Sequence, residues 1–126
     1  MAERVAVFLD FQNVHLSGHG VFENYGLPPY RCVPDPARVA DLIGRRRSRP
    51  SEVTAVRVYR GRPDPNYQPL PAAANDAQAA QWTRDTRVQM VRRQQPLRIK
   101  GTNLPYCHFL NKDDWAAVTE DWIGRV

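Results

Sequence analysis

The feature that most constrains the fold is an almost unbroken apolar run near the start of the chain, residues 4–10, RVAVFLD. The run is short, rich in Val, and closed by the polar Asp10. Such a run is typical of a strand in a parallel sheet that is covered on both faces. Two similar runs follow at residues 52–59 (EVTAVRVY) and 87–91 (RVQMV). The sequence therefore predicts three short, buried strands.

Helix signals separate these strands. Asp35 and Pro36 supply the N-cap and the first-turn proline that begin a helix. Three arginines at residues 45–47 favour its last turn, where the helix dipole attracts cations. Residues 72–85 are also helix-prone, whereas residues 11–34 have the composition of a long polar loop. Two crossover helices between short strands predict a parallel, right-handed α/β sheet.

The length of the chain allows one domain, residues 1–126. The helix and strand pattern weakens after residue 94, where residues 96–100 suggest one more extended segment and residues 113–123 a short acidic helix. No apolar run is long enough to cross a membrane. The sequence shows no signal peptide, and its two cysteines fit reduced thiols, so we expect a cytoplasmic protein.

The charge of the chain favours a polyanionic partner. The formal net charge is +5, with 18 Lys and Arg against 13 Asp and Glu. Most of the basic residues are arginine, whose planar group suits bidentate phosphate contacts. The alternative is an ordinary solvated basic surface. Nucleic acid is the simplest partner that this composition predicts.

Polar residues follow each predicted strand, and in a parallel sheet ligands bind beyond these carboxyl ends. A carboxylate can bind a hard divalent cation, and arginines hold phosphates and stabilise developing charge. This combination predicts a site for a phosphodiester. The alternative for the carboxylate is that it caps the following turn, and for each arginine that it faces solvent. The candidate residues are Asp10, Asn13, Arg60, Arg62, Arg92 and Arg93.

A zinc site is not favoured by the sequence. His15 and His19 are separated by one helical turn, but Gly18 and Gly20 argue against a helix that would align them. The sequence also contains no paired Cys-x-x-Cys.

The segment VAVFLDFQNVH resembles the opening strand and D-x-x-N motif of the NYN domain, a branch of the PIN-like nucleases. The later segments VYRGRPDPN, AANDAQAAQWTRD and VQMVRR also resemble actinobacterial members, so the resemblance covers about residues 4–93. It implies a Rossmann-like, three-layer α/β/α fold and a metal-dependent ribonuclease in which Mg²⁺ or Mn²⁺ activates water. By this resemblance Asp10 is the first metal-binding carboxylate, and Asn13 orients it or the bound water.

Residues 94–126 depart from the family pattern, because neither the K-G-x-D-x-x-L-x-x-D segment nor the final acidic strand is present. The nearest acids in this tail are Asp114, Glu120 and Asp121, one or more of which become the candidate companions of Asp10 at the metal, with Asp114 and Asp121 as the predicted ligands. Asp76, early in the second predicted helix, is a further candidate acid, although helix capping explains it as well.

Two alternatives to the ribonuclease stay open. One is an RNA-binding module that uses the strand-end arginines, and the other is a remnant that needs a partner chain to complete its sheet and core. An unfinished parallel sheet exposes an edge strand and apolar surface, which also favours self-association as a homo-oligomer.

Overall fold

The computed structural model describes residues 2–22, 32–94 and 111–121. The described chain is an α/β structure with one main sheet, a second small sheet and four helices. None of these helices is long and apolar enough to span a bilayer. In chain order the elements are β1 (Glu3–Asp10), α1 (Phe11–Phe22), β2 (Val33–Pro34), α2 (Pro36–Arg45), β3 (Ser51–Arg62), α3 (Pro69–Trp82), β4 (Val88–Gln94), α4 (Lys112–Val118) and β5 (Thr119–Glu120).

The main sheet consists of three parallel strands in the order β1-β3-β4, as the alternation of strands and helices predicts. In this register Asp10 pairs with Tyr59, and Tyr59 pairs with Val91. The ends of the three strands therefore meet at one edge of the sheet, here called the carboxyl edge and comprising Asp10, residues 59–62 and residues 91–94. The remaining strands, β2 and β5, form a separate antiparallel pair.

One face of the main sheet packs against the helices. Val7 of β1 and Val56 of β3 are buried on it, and they join Val39 of α2 and Trp82 of α3 in a single continuous core. The prediction that β1 is covered on both faces is wrong for the described residues, because its side chains alternate between exposed and buried positions. Among the described residues the sheet and the helices form two layers, and the three-layer arrangement that the resemblance implies stays a prediction.

The opposite face, here called the bare face, carries no buried side chain. It consists of the even-numbered residues of β1 from Arg4 to Phe8 and the odd-numbered residues of β3 from Ala55 to Tyr59 and of β4 from Gln89 to Arg93.

The polar loop predicted for residues 11–34 is wrong over residues 11–22, which form α1. Tertiary contacts stabilise this helix despite its two glycines. Phe11 is buried against Trp82, with ring centroids 5.0 Å apart. A Cβ at Gly18 would lie 2.1 Å from a ring atom of Trp115 in α4, so glycine is the residue that permits this close approach.

The start of α2 agrees with the sequence prediction. Oδ1 of Asp35 accepts hydrogen bonds from the backbone N–H groups of Ala37 at 3.0 Å and Arg38 at 3.3 Å, and Pro36 occupies the first turn. The predicted second helix begins and ends three residues earlier than expected, as α3. Local capping chemistry thus located the start of α2 more sharply than composition located the ends of α3.

The strands are longer than predicted, since β3 continues to Arg62 and β4 to Gln94. The four candidate arginines therefore lie within the last residues of the hydrogen-bonded strands rather than after them. The predicted acidic helix of residues 113–123 is shorter, because α4 ends at Val118 and residues 119–120 form β5. The predicted extended segment at residues 96–100 lies outside the described residues.

Candidate functional site

Asp10 ends β1 directly before α1, and it is exposed. Its Oδ1 accepts a hydrogen bond from the backbone N–H of Asn13 at 3.5 Å, a long version of the bond that an N-cap makes to the third helical residue. The side chain of Asn13 is used within α1, where its Oδ1 accepts a hydrogen bond from Oγ of Ser17 at 3.1 Å. Asp10 and Asn13 are therefore brought together, but through the backbone of Asn13 rather than its amide side chain.

Asp76 of α3 joins the ends of β3 and β4. Its carboxylate accepts hydrogen bonds from Nε and Nη2 of Arg62, both at 2.9 Å, and from Nη1 of Arg92 at 2.7 Å. These bonds from Arg62 and then Arg92 hold the pKa of Asp76 far below its usual range. A single ionised carboxylate is thus shared between two of the predicted phosphate-binding arginines.

The neighbouring Asn75 is buried and positions the same strand ends. Its Nδ2 donates to the backbone carbonyl of Gly61 at 2.9 Å, and its Oδ1 accepts from Nη1 of Arg92 at 2.9 Å. Sequence reasoning missed this role of Asn75 and treated Asp76 only as a further acid or helix cap. The available signal was an Asn-Asp pair inside an otherwise alanine-rich helix.

Arg60 has an environment that the sequence did not reveal. Its guanidinium lies over the ring of Phe11, with Cζ 4.3 Å from the centroid, and near the ring of Trp82 at 5.3 Å. Burial, followed by repulsion from Arg92, lowers the pKa of Arg60 to about 10, so it stays charged at neutral pH. Its Nη1 is buried and has no hydrogen-bond partner among the described residues. Arg60 is thus a packed cation rather than an exposed phosphate ligand.

Arg93 is exposed, as is Arg92, whereas Arg60 and Arg62 are partly buried. Arg93 pairs in register with Gly61 of β3 and belongs to both the carboxyl edge and the bare face. It forms no ion pair with any acid of the described ranges. Arg93 is therefore the most available of the four for a bound anion.

Asp114 has a structural partner. It is buried near the start of α4, and its two oxygens accept hydrogen bonds from the two Nη atoms of Arg46, both at 2.6 Å. It also completes a capping box with Asn111, in which each side chain accepts the other's backbone N–H. The Arg46 bonds, followed by the Asn111 N–H, lower the pKa of Asp114. Both oxygens of the Asp114 carboxylate therefore make structural hydrogen bonds.

Asp114 lies towards the opposite edge of the sheet from Asp10. Arg47, the residue after Arg46, donates from Nη2 to Oε2 of Glu3 at 2.8 Å, and Glu3 is the first residue of β1. Asp10 is the last residue of this strand, about 23 Å away at roughly 3.3 Å per residue. The structure therefore does not bring the two predicted metal ligands together.

The third predicted metal ligand, Asp121, is exposed and directly follows β5. The preceding Glu120 is held by Arg38 of α2, at 3.1 Å, and by Nε2 of Gln81 of α3, at 3.0 Å. The end of the described tail is thus fastened to the helices α2 and α3.

The metal that the family resemblance implies does not fit the described acids. Of the 13 acidic residues in the chain, Glu23 alone lies outside the described ranges. Within those ranges no three His, Cys, Asp or Glu side chains are grouped so that they could hold a metal ion. This includes His15 and His19, although both do lie on α1. Since Mg²⁺ is usually held by several carboxylates or by added phosphates, Asp10 alone is an incomplete site.

Comparison with known proteins adds no assignment, because no protein-family model, curated protein or solved structure matches this chain.

Proposed function

We propose that the protein is an RNA-binding module that holds backbone phosphates with arginines of its carboxyl edge. The observation that supports this function is the arrangement around Asp76. Arg62 and Arg92 share this one carboxylate, and the exposed Arg93 follows Arg92 in β4. Three guanidinium groups against one bonded carboxylate (3 − 1) leave two positive charges. The net charge of +5 adds long-range attraction for a polyanion.

Donors remain at this cluster after its internal bonds are made. A guanidinium has five N–H groups. Arg62 uses Nε and Nη2 towards Asp76, and Arg92 uses Nη1 towards Asp76 and Asn75. The other N–H groups of both arginines have no hydrogen-bond partner in the described ranges, so they remain for phosphate oxygens, while Asp76 keeps the two side chains in fixed positions. Less side-chain entropy is then lost when a phosphate binds.

The proposal is tested by measuring the affinity for end-labelled RNA as a function of salt concentration, in EDTA so that cleavage does not interfere. We expect affinity to fall steeply with salt, and Arg93→Gln to weaken binding and lower the salt slope by about 0.7–1. The matched control is Arg45→Gln, which removes an exposed arginine at the far end of α2. An affinity that is independent of salt, or equal losses in both variants, would contradict phosphate binding at the carboxyl edge.

A metal-dependent ribonuclease of the NYN type is the second candidate. The observation in its favour is that Asp10 is exposed at the carboxyl end of a strand, the position where α/β proteins place their ligands. Since the described acids do not complete a metal site with it, the prediction rests on the family resemblance. RNA cleavage with added Mg²⁺ or Mn²⁺ should be abolished in Asp10→Asn if this function is correct. Equal cleavage by both proteins would refute it.

A further inference from the structure

The bare face combines two exposed aromatic rings with arginines that form no ion pair with a described acid. Phe8 is 65% exposed and Tyr59 is 45% exposed, although both belong to strands of the main sheet. Their rings are stacked with an interplanar angle of 22° and centroids 6.4 Å apart. Large aromatic side chains normally contribute most when they are buried, so two of them side by side on a sheet surface indicate an interaction site.

The charges of this face suit a polyanion. Arg57 pairs in register with Phe8, and Arg93 lies two residues after Val91, the register partner of Tyr59. Neither arginine forms an ion pair with a described acid. The acids nearest to this face lie at its margins, Glu52 opposite Arg4 at one end and Asp10 beside Tyr59 at the other. Arg57 and Arg93 thus flank the rings, and Asp10 is the one acid of the strand register that lies beside a ring.

We propose that the bare face binds a single-stranded segment of RNA, with bases stacked on Phe8 and Tyr59 and phosphates held by Arg57 and Arg93. Aromatic rings on a β-sheet surface bind unpaired bases because every base has a π-face, and arginines beside them hold the backbone. Arg93 belongs to the carboxyl edge as well, so one strand of RNA can continue from the rings to that edge. The inference rests on the proposed RNA-binding function and assigns it a class of RNA, the unpaired strand.

A second copy of the chain is a less suitable occupant of this face. A symmetric face-to-face dimer would bury Arg57 and Arg93 against a second copy of the same face, whose centre carries no acid. With no acid in the centre of the face to pair them, the desolvated like charges would oppose association. Single-stranded RNA provides both the aromatic surface and the negative charge that the face lacks.

The test compares binding of single-stranded RNA and of the same sequence as a duplex, in EDTA, by fluorescence anisotropy. The main variant is Phe8→Leu with Tyr59→Leu, which keeps apolar volume but removes the π-faces. We expect its affinity for the single strand to fall by about fivefold or more for each ring, and its affinity for the duplex to change little. The ring-preserving variant, Phe8→Tyr with Tyr59→Phe, should bind like the native protein. Unchanged melting temperatures should confirm that the exposed rings are not needed for folding.

The outcomes separate this inference from the function on which it rests. Val21→Ala, which shortens an exposed apolar side chain of α1, serves as the control and should not change affinity. If the double leucine variant binds the single strand as well as the native protein, while Arg93→Gln binds it less well, the inference fails and the proposed function stands. If the native protein binds neither RNA, both fail. The inference would be overturned in favour of a second copy by two results together: the native protein is a dimer that RNA does not dissociate, and alanine at both ring positions converts this dimer to a monomer.

Discussion

The packing of α4 on α1 can be tested with two glycines of the same helix. Gly18 and Gly20 both lie in α1, and replacement by alanine raises helix propensity by about 1 kcal/mol at each position. Around Gly20 an added Cβ would meet no atom within 4 Å, so Gly20→Ala should raise the free energy of unfolding by about 0.5–1 kcal/mol. An added Cβ at Gly18 would lie 2.1, 2.4 and 2.6 Å from three ring atoms of Trp115.

The expected difference follows from the clash alone, because the propensity gain is common to both variants. Carbon atoms attract best at about 3.5–4.0 Å, so the Trp115 ring has to move by more than 1 Å, roughly, to admit the methyl group. The ring is 2% exposed and also contacts Phe22, so it has little room. Overpacking of this kind costs about 1–3 kcal/mol. We therefore expect Gly18→Ala to be less stable than Gly20→Ala by about 1–3 kcal/mol.

Thermal unfolding followed by circular dichroism measures this difference directly. At the usual entropy of unfolding per residue, a chain of 126 residues loses about 4 °C of Tm per kcal/mol. The Tm of Gly18→Ala should thus lie about 4–11 °C below that of Gly20→Ala, and the gap should shrink when Trp115 is replaced by leucine in both backgrounds. Equal stability of the two alanine variants would refute the packing of α4 on α1.

Four further predictions concern the charged residues Asp76, Arg60 and Asp10. Asp76→Asn should increase the affinity for RNA, because removal of a full negative charge beside Arg62 and Arg92 outweighs the loss of the fixed positions that Asp76 gives them. Anisotropy at fixed salt measures this change, and weaker binding would show that the fixed positions matter more than the charge. Because the pKa of Asp76 is lowered in the folded state, the stabilisation from its ion pairs is lost as the pH falls below about 4. Urea titrations at several pH values should therefore show a smaller loss of unfolding free energy on acidification for Asp76→Asn than for the native protein. Arg60→Met should leave the free energy of unfolding unchanged or raise it. It replaces a buried cation, whose Nη1 has no hydrogen-bond partner among the described residues, with an apolar side chain between the rings of Phe11 and Trp82. A large loss of stability would show that the cation–π contacts outweigh the cost of desolvation. Asp10→Ala should lower the free energy of unfolding by about 0.5 kcal/mol, whereas Asp10→Asn should leave it nearly unchanged. This value is at the low end of the usual loss for an N-cap residue, because the hydrogen bond from the Asn13 N–H is 3.5 Å long.

Features encoded by short segments could be predicted from the sequence. Three apolar runs with helix signals between them determined a parallel α/β sheet, since parallel strands need crossover connections. Asp35 and Pro36 located the start of α2, because capping depends on a few adjacent residues. The position of Asp10 at the carboxyl edge followed from the same local reasoning. The NYN resemblance and the metal chemistry that it implies stay predictions.

The partners of the charged side chains could not be predicted in this way. Arg60, Arg62 and Arg92 look alike in the sequence, yet the first is packed against aromatic rings and the other two are bound by Asp76. Asp114 has the carboxylate that a metal ligand needs, but Arg46, which is distant in sequence, binds both of its oxygens. Long-range ion pairs depend on how the helices are placed on the sheet, and residue spacing along the chain does not contain that information.

The sequence by itself thus determined which segments form the three strands of the main sheet and where the polar edge of that sheet lies. Only the tertiary structure decided which face of each strand is buried. An apolar run such as residues 4–10 has hydrophobic side chains on both faces of the strand, so its sequence does not distinguish a strand covered on one face from a strand covered on two. Packing of the helices buried Val7 and left Phe8 exposed. The aromatic pair that Phe8 forms with Tyr59 on the bare face exists because of that choice.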